Sequence, residues 1–488
     1  MSSNGVTRRR LLAGAAAIAA EVGTAPRAQA DSNPLDWTLT QAAAALAGGR
    51  VSSEELTKLC LARIGKLDRS LNAFITLDAD GALQQARDCD RRRKSGNAAS
   101  GLYGVPIALK DNIDTAGMKT TAAAGVFRNR VPAEDAEVTR RLKAAGVVIL
   151  GKLNLDEMAF EGTGTTGCFG PARNPWNLDR ITGGSSAGSA AAVSAGLCFG
   201  SVGSDDGGSV RIPASFCGVV GFKTLYGRVS TRGVVPSAYS LDTMGPIART
   251  VEDAAALLQT IAGHDPQDAI TLDEPVPDYT QALRAPIANL RIGVPREYFF
   301  EGLHPDVAAA VEEAIRHLKG KVREVRDVTL PRLHIAENGS YDVELYHYQK
   351  PFFDKTPELY HPWSQRQMNQ LKQVQAVAYV ETLKRIRECR RDIRRVFEQV
   401  DILALPTMRE PAPLISETVN ETHQRPRSCV SAFNHFGTPA ITVPCGFSKD
   451  GLPIGLQLVG AAFREPLVLS IAYAYQQSTG WHKRTPPL

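Results

Sequence analysis

Between residues 162 and 233 the 488-residue chain is dense in glycine, serine and threonine, yet no unit repeats. Side chains this small bury little apolar area, so the segment does not build a core well. Its use is the backbone geometry that such residues allow. Apolar elements on either side must therefore supply the frame that holds it. With 43% hydrophobic and 22% charged residues the chain has an ordinary globular composition, which excludes disorder and fibrous repeats. No stretch approaches the roughly 18 consecutive apolar residues of a membrane-spanning helix.

The flanks provide that frame. Ser52 with Glu55 three residues on is a helix-start signature, and Leu56, Leu59, Cys60, Ile64 and Leu67 follow at helical spacing, predicting a helix over 51–67. A second helix is expected over 82–94, ending in the solvated basic run Arg91 to Lys94. Short β-rich runs at 105–109 and 147–150 enclose a helix at 133–145, which predicts a βαβ unit and a buried sheet. Further helices are expected at 251–262, 305–318 and 466–477. A long one is expected over 365–399, with Val374, Val377, Leu383, Ile386, Ile393 and Phe397 on its apolar face. Strands are expected at 402–405, 440–443 and 456–459. No Pro/Gly/Ser linker divides the chain, so a single α/β domain is expected, with a less regular insertion at about 265–365.

The formal net charge of +5 comes largely from the first thirty residues, where Arg8, Arg9, Arg10 and Arg27 face only Glu21. The balance beyond them leaves no electrostatic footprint for nucleic acid or an anionic membrane. Those arginines, the apolar stretch 11–20 and the small-residue site Ala28, Gln29, Ala30 follow the order of a leader peptide. Residues 7–12, TRRRLL, resemble a twin-arginine export signal. The expectation is a signal over 1–30, a mature domain over 31–488, and a periplasmic or secreted protein. The eight cysteines show no C-x-x-C pair and read as mostly buried free thiols, and the nine histidines fall into no ligand pattern. Neither a metal nor a cofactor is expected.

Three motifs fail on context. Gly162, Gly164 and Gly167 fit G-x-G-x-x-G, but no strand precedes them and Pro171 and Pro175 break any following helix. Gly146, Gly151 and Lys152 approach a phosphate-binding loop, but Leu153 stands where Ser or Thr is required. Gly184, Ser186 and Gly188 fit the nucleophile elbow G-x-S-x-G. The polar, Pro-broken stretch 174–183 before them lacks the strand that elbow needs, and Ser186 with a distant Asp and His stays as an alternative.

Two small-residue segments and one lysine remain. Residues 183–189, GGSSAGS, run into a helix at 190–195, so free backbone N–H groups can point at one spot. Residues 203–211, GSDDGGSVR, place Gly207 and Gly208 directly before Ser209, a turn that can expose the serine oxygen while the amides of Asp206 to Ser209 face a developing oxyanion. Lys110 closes the apolar run 105–109. Burial there disfavours its charged form, and a neutral amine is a general base.

With these segments the sequence resembles the amidase signature family over nearly its whole length. The matching landmarks are residues 183–221, VPIALKDNI around Lys110, FGPARNPWN at 169–177, PASFCGVVGFK at 213–223, DILALPT at 401–407, and TPAITVPCG with GLPIGLQLVG near the end. The resemblance implies one domain with a mixed, mainly parallel central sheet covered by helices on both faces. It also implies a Ser–cis-Ser–Lys triad: Ser209 as nucleophile, Ser185 as bridging serine after a cis peptide, Lys110 as base. Asp206, Gly207 and Gly208 would line the oxyanion or substrate, supported by Asp205, Arg211 and Ser186. Two positions depart from the pattern, Ala187 for a usual Gly and Asp206 for a common Thr. The implied activity is hydrolysis of a small-molecule amide to an acid plus ammonia or an amine through a Ser209 acyl-enzyme, with specificity set by 265–365 and 158–166. Two alternatives stay open. One is the glutaminase subunit of a tRNA-dependent amidotransferase, feeding ammonia to a partner subunit, which the expected export opposes. The other is an inactive binding protein of the same fold. A homodimer is a further open point.

Overall fold

The computed structural model describes residues 33–96, 101–331, 340–418 and 426–488. The segment read as an export signal, 1–30, lies outside them. The helix signalled by Ser52 runs over Ser53–Leu71. Ser52 Oγ accepts from the Glu55 N–H, Leu56, Cys60 and Ile64 are buried, and the left-handed Asn72 (φ 52°) ends it.

Strands β1 (Phe74–Leu77), β2 (Pro106–Lys110) and β3 (Val148–Leu153) follow, then a two-stranded hairpin of β4 (Arg173–Asn174) and β5 (Asn177–Ile181). The rest are β6 (Gly200–Asp205), β7 (Val220–Lys223), β8 (Thr243–Ala248), β9 (Arg291–Val294), β10 (Glu324–Asp327), β11 (Ile402–Pro406), β12 (Ala440–Phe447) and β13 (Pro453–Gly460). Apart from the hairpin they form one mixed sheet, in the order β1-β3-β2-β6-β8-β7-β12-β13-β11-β9-β10. Its parallel ladders are β3–β2–β6 towards one edge and β11–β9–β10 at the other, with antiparallel pairing from β6 through β8, β7, β12 and β13 to β11. The chain is thus a single α/β domain with helices flanking a large sheet.

The expected βαβ unit is present, since β2 and β3 pair in parallel, Ile107 opposite Ile149, with the helix Glu137–Ala144 between them. That helix starts later than its pattern predicts because the Ala136 and Glu137 N–H groups donate to the carbonyls of Asp114 and Arg232. All five residues of β2 are buried, as a strand covered on both faces requires.

Three expectations need correction. The small-residue segment lies inside the core: β6 is central in the sheet, and the helix Ala187–Ser194 is buried over nearly its whole length. Close approach explains this, for a Cβ on Gly188 would lie 2.2 Å from the Ala73 carbonyl oxygen. Second, the long helix is two, Pro362–Leu371 and Ala376–Gln399. Val374, between the two, packs on the apolar cluster that includes Trp363, Met368 and Leu371, whereas Val377 is 82% exposed. Third, the insertion is more regular than expected, because β9, the helix Pro305–Lys319 and β10 extend the sheet at one edge. All eight cysteines are free thiols, and all but Cys168 are buried. Among the described residues no helix is long and apolar enough to cross a membrane.

Candidate active site

The parallel pairing of β2 with β6 sets Ala108 opposite Ser201 and Leu109 opposite Val202, so both strands end at the same side of the sheet. Lys110 stands at the end of β2, fully buried. Its Nζ donates to Ser185 Oγ at 2.7 Å and to Ser204 Oγ at 2.8 Å. Burial lowers its pKa to about 8, against the opposing pull of Asp206 and the more distant Asp156, Asp205 and Asp242. Ser185 is itself buried and follows a cis peptide bond from Gly184.

The second segment leaves β6 at Asp205 and turns through Gly207 and Gly208, the latter at φ 125°. A Cβ at Gly208 would meet Val430 Cγ2 at 2.2 Å, so only glycine fits. Ser209 follows, and its carbonyl accepts from the Ser186 N–H at 3.1 Å, which ties the two segments side by side. The Ser209 hydroxyl donates to Asp206 Oδ1 at 3.4 Å, so in this conformation its partner is the carboxylate rather than Ser185. Lys110 and Ser185 are thus in contact, with Ser209 alongside.

Asp205 and Arg211 brace the turn. The fully buried Arg211 forks onto both Asp205 oxygens at 3.0 and 2.9 Å and also donates to the Val430 carbonyl, Gln457 Oε1 and Asn434 Oδ1. Burial alone would raise the Asp205 pKa, but the Arg211 charge and hydrogen bonds hold it well below the usual carboxylate range. Asp205 Oδ1 also accepts the Gly208 N–H at 2.9 Å, and Oδ2 the Val210 N–H at 3.1 Å. This corrects the oxyanion expectation at one residue, because the Gly208 amide is already committed. The N–H groups of Gly207 and Ser209 make no hydrogen bond among the described residues.

Ser186 is fully buried, caps the helix Ala187–Ser194 and donates to the Ser204 carbonyl at 3.3 Å. A strand, β5, does stand upstream, contrary to the expectation of a Pro-broken loop. Among the described residues Ser186 still makes no hydrogen bond to a histidine, so the elbow alternative finds no base there.

A cavity of about 250 Å³ opens over Ser209, Asp206 and Gly207, walled by Phe160, Ile212 and His435 among others. Residues 159–162 and Tyr341 with Asp342 also line it, so both regions expected to shape the substrate reach it. Sequence reasoning missed His435. It follows no metal-ligand or triad spacing, and its only signal was a histidine set between Phe433 and Phe436, beside Asn434, before β12.

The Amidase family model matches residues 55–469. A glutamyl-tRNA(Gln) amidotransferase subunit of Roseiflexus sp. (strain RS-1) is 43% identical over 483 residues, covering 92% of this chain and 98% of that protein. Among solved structures, the amidotransferase subunit of the same name from Thermotoga maritima superposes with a TM-score of 0.78 at 33% identity, covering 93% of this chain and 98% of that one. The native peptide amidase of Stenotrophomonas maltophilia gives 0.80 at 32% identity, covering 92% and 98%.

These relatives correct the expectation of a periplasmic or secreted protein. Their name ties them to glutamyl-tRNA(Gln), which is found in the cytoplasm, and similarity this extensive outweighs a short arginine pattern that lies outside the described residues. The family match and the extent of these similarities have one reading: the chain belongs to the amidase signature family and is an enzyme of the class that hydrolyses amide C–N bonds.

Proposed function

We propose that the chain releases ammonia or an amine from a carboxamide through an acyl-enzyme on Ser209, with Ser185 and Lys110 relaying the proton. The observation that carries this reading is the 2.7 Å contact between a fully buried lysine amine and Ser185 Oγ, beside a serine that opens on a cavity. A serine hydroxyl attacks poorly until a base takes its proton. Rotation of the Ser209 side chain from Asp206 towards Ser185 completes the relay, because the Ser186–Ser209 backbone bond already holds the segments together. The proton then passes from Lys110 through Ser185 to the leaving nitrogen, which departs only when protonated. The Gly207 and Ser209 amides, without another partner among the described residues, receive the oxyanion in this reading, each donor being worth about 3 kcal/mol of the barrier.

The relatives favour glutamine as the amide and an amidotransferase partner as the recipient of ammonia, since the 43% identity spans 98% of a protein named as part of that amidotransferase. The test is ammonia release from a panel of amides, esters and glutamine, with and without the other amidotransferase subunits, beside fluorophosphonate labelling read by mass spectrometry. Label on Ser209 together with loss of turnover in Ser209→Ala supports the reading. A folded protein that takes no label and releases no ammonia is the inactive binder instead. Glutamine turnover that needs the partner subunits supports the amidotransferase role.

A further inference from the structure

Asp206 stands where a carboxylate is costly for acyl transfer, so its presence asks for a partner. Its Oδ1 accepts from Ser209 Oγ at 3.4 Å and its Oδ2 from Ser237 Oγ at 3.0 Å. Asp242 lies close by and accepts the Ser237 and Ala238 N–H groups. Burial raises both carboxyls, Asp242 further because of the Asp206 charge, while Lys110 favours ionised Asp206. Of the two, Asp206 is therefore the carboxyl on which the charge is favoured.

His435 supplies an independent observation. It is 4% exposed and lines the same cavity. Its Nδ1 lies 3.0 Å from the Ser431 carbonyl oxygen, an acceptor, so Nδ1 carries the hydrogen and Nε2 presents a lone pair. That Nε2 is buried and has no hydrogen-bond partner. Burial, with Arg390 adding to it against the Ser431 carbonyl, lowers the imidazole pKa to about 4, so the ring is neutral. The cavity is thus lined by a carboxylate that, among the described residues, accepts only from neutral serine hydroxyls and by a histidine whose Nε2 is an acceptor without a partner.

We infer that the substrate carries a protonated amine within a few bonds of its scissile carbonyl, held by the Asp206 carboxylate, with His435 Nε2 as a second acceptor. The inference rests on amide hydrolysis at Ser209 and names the substrate class of that site. A carbonyl carbon poised for attack lies about 3–3.5 Å from Ser209 Oγ, so substituents near it come within reach of Asp206. An ammonium there replaces the serine hydroxyl as the partner of Oδ1 and frees Ser209 to turn towards Ser185. A carboxylate in the same place is repelled.

The test is kcat/KM of the full chain on amides matched with and without the amine: L-leucinamide against 4-methylpentanamide, and L-glutamine against glutaramate. The amine-bearing member should be preferred about tenfold or more, as expected for a hydrogen bond to a charged group. Asp206→Asn should collapse that ratio, mainly through KM of the amine-bearing member. In the wild type the leucinamide preference should also fall as pH rises through about 8, where such amines lose their proton. This readout needs no variant to fold. Equal or better turnover of the amine-free amides by the wild type overturns the inference, as does a ratio unchanged in Asp206→Asn. Ser209-dependent turnover of amine-free amides alone would leave the hydrolase reading standing, whereas no Ser209-dependent ammonia from any amide removes both.

Discussion

Replacing Lys110 with methionine keeps a side chain of similar length and removes the amine, which separates the cost of burying that amine from its use. The wild-type amine titrates at about 8 in the folded chain against an ordinary value of 10.5. That gap is worth about 3 kcal/mol. Between those values the unfolded chain binds the extra proton, so stability rises with pH across the window, and below pH 8 the penalty is fully present. Methionine lifts it. The variant also loses the hydrogen bonds to Ser185 and Ser204, at about 1 kcal/mol each. Near pH 7 the variant should therefore be more stable than the wild type by about 1 kcal/mol, and towards pH 10 the order should reverse. Groups beyond the electrostatic reach of Lys110 titrate alike in both proteins and cancel in the difference. Urea unfolding at several pH values between 6.5 and 10 measures it. Turnover by the variant should fall by about a thousandfold, as for loss of a general base. In the wild type kcat/KM should climb with pH and level off above about 8. A stability difference that stays flat with pH would refute the reasoning, because the lysine would then be charged in the folded chain throughout.

Arg211→Met strips Asp205 of its guanidinium and leaves a buried carboxylate, so equilibrium unfolding should show a loss of about 3–5 kcal/mol, part of it recovered by adding Asp205→Asn. Gly208→Ala forces a methyl to 2.2 Å from Val430 Cγ2 at a left-handed position, and should give a soluble protein that fluorophosphonate no longer labels. Ser204→Ala removes a hydroxyl that accepts from Lys110 at 2.8 Å, which disfavours the charged amine further. The midpoint of the pH–rate curve should then move to lower pH while the plateau holds.

Much of the fold and site was legible because local signals and global fold agree in particular places. Ser52 starts its helix, the run before Lys110 is a buried strand, and Gly207 and Gly208 turn the chain into Ser209. What escaped notice has physical reasons. Strands β6 and β8 read GSVGSD and TMGPIA, with too few β-branched residues to signal a strand, and they are held instead by the neighbours they pair with. The commitment of the Gly208 amide to Asp205 depends on Arg211 fixing that carboxylate from the opposite side, with Asn434 more than two hundred residues away sharing the load. His435 acquires its role only because its helix packs the ring against the cavity.

A lysine that closes an apolar run, the feature by which Lys110 stands out in the sequence, is not by itself distinctive. Lys223 closes β7 in the same way and Lys152 sits in β3. Both are fully buried, and burial lowers their pKa values to about 7 and about 8. Yet Lys223 donates to the Thr224 carbonyl, while Lys152 donates to the Ile113 carbonyl and Thr120 Oγ1 and faces Asp111. Neither touches a hydroxyl next to the cavity. Desolvation therefore makes three weakly basic amines, and strand register selects one. The pairing of β2 with β6 brings Lys110 to the end of β6, where its amine reaches Ser204 Oγ, and the loop before the helix Ala187–Ser194 lays Ser185 across it. Shifting β2 by one residue would turn Lys110 to the other face of the sheet and put Leu109 in its place. The site therefore depends on that register as much as on the motif itself.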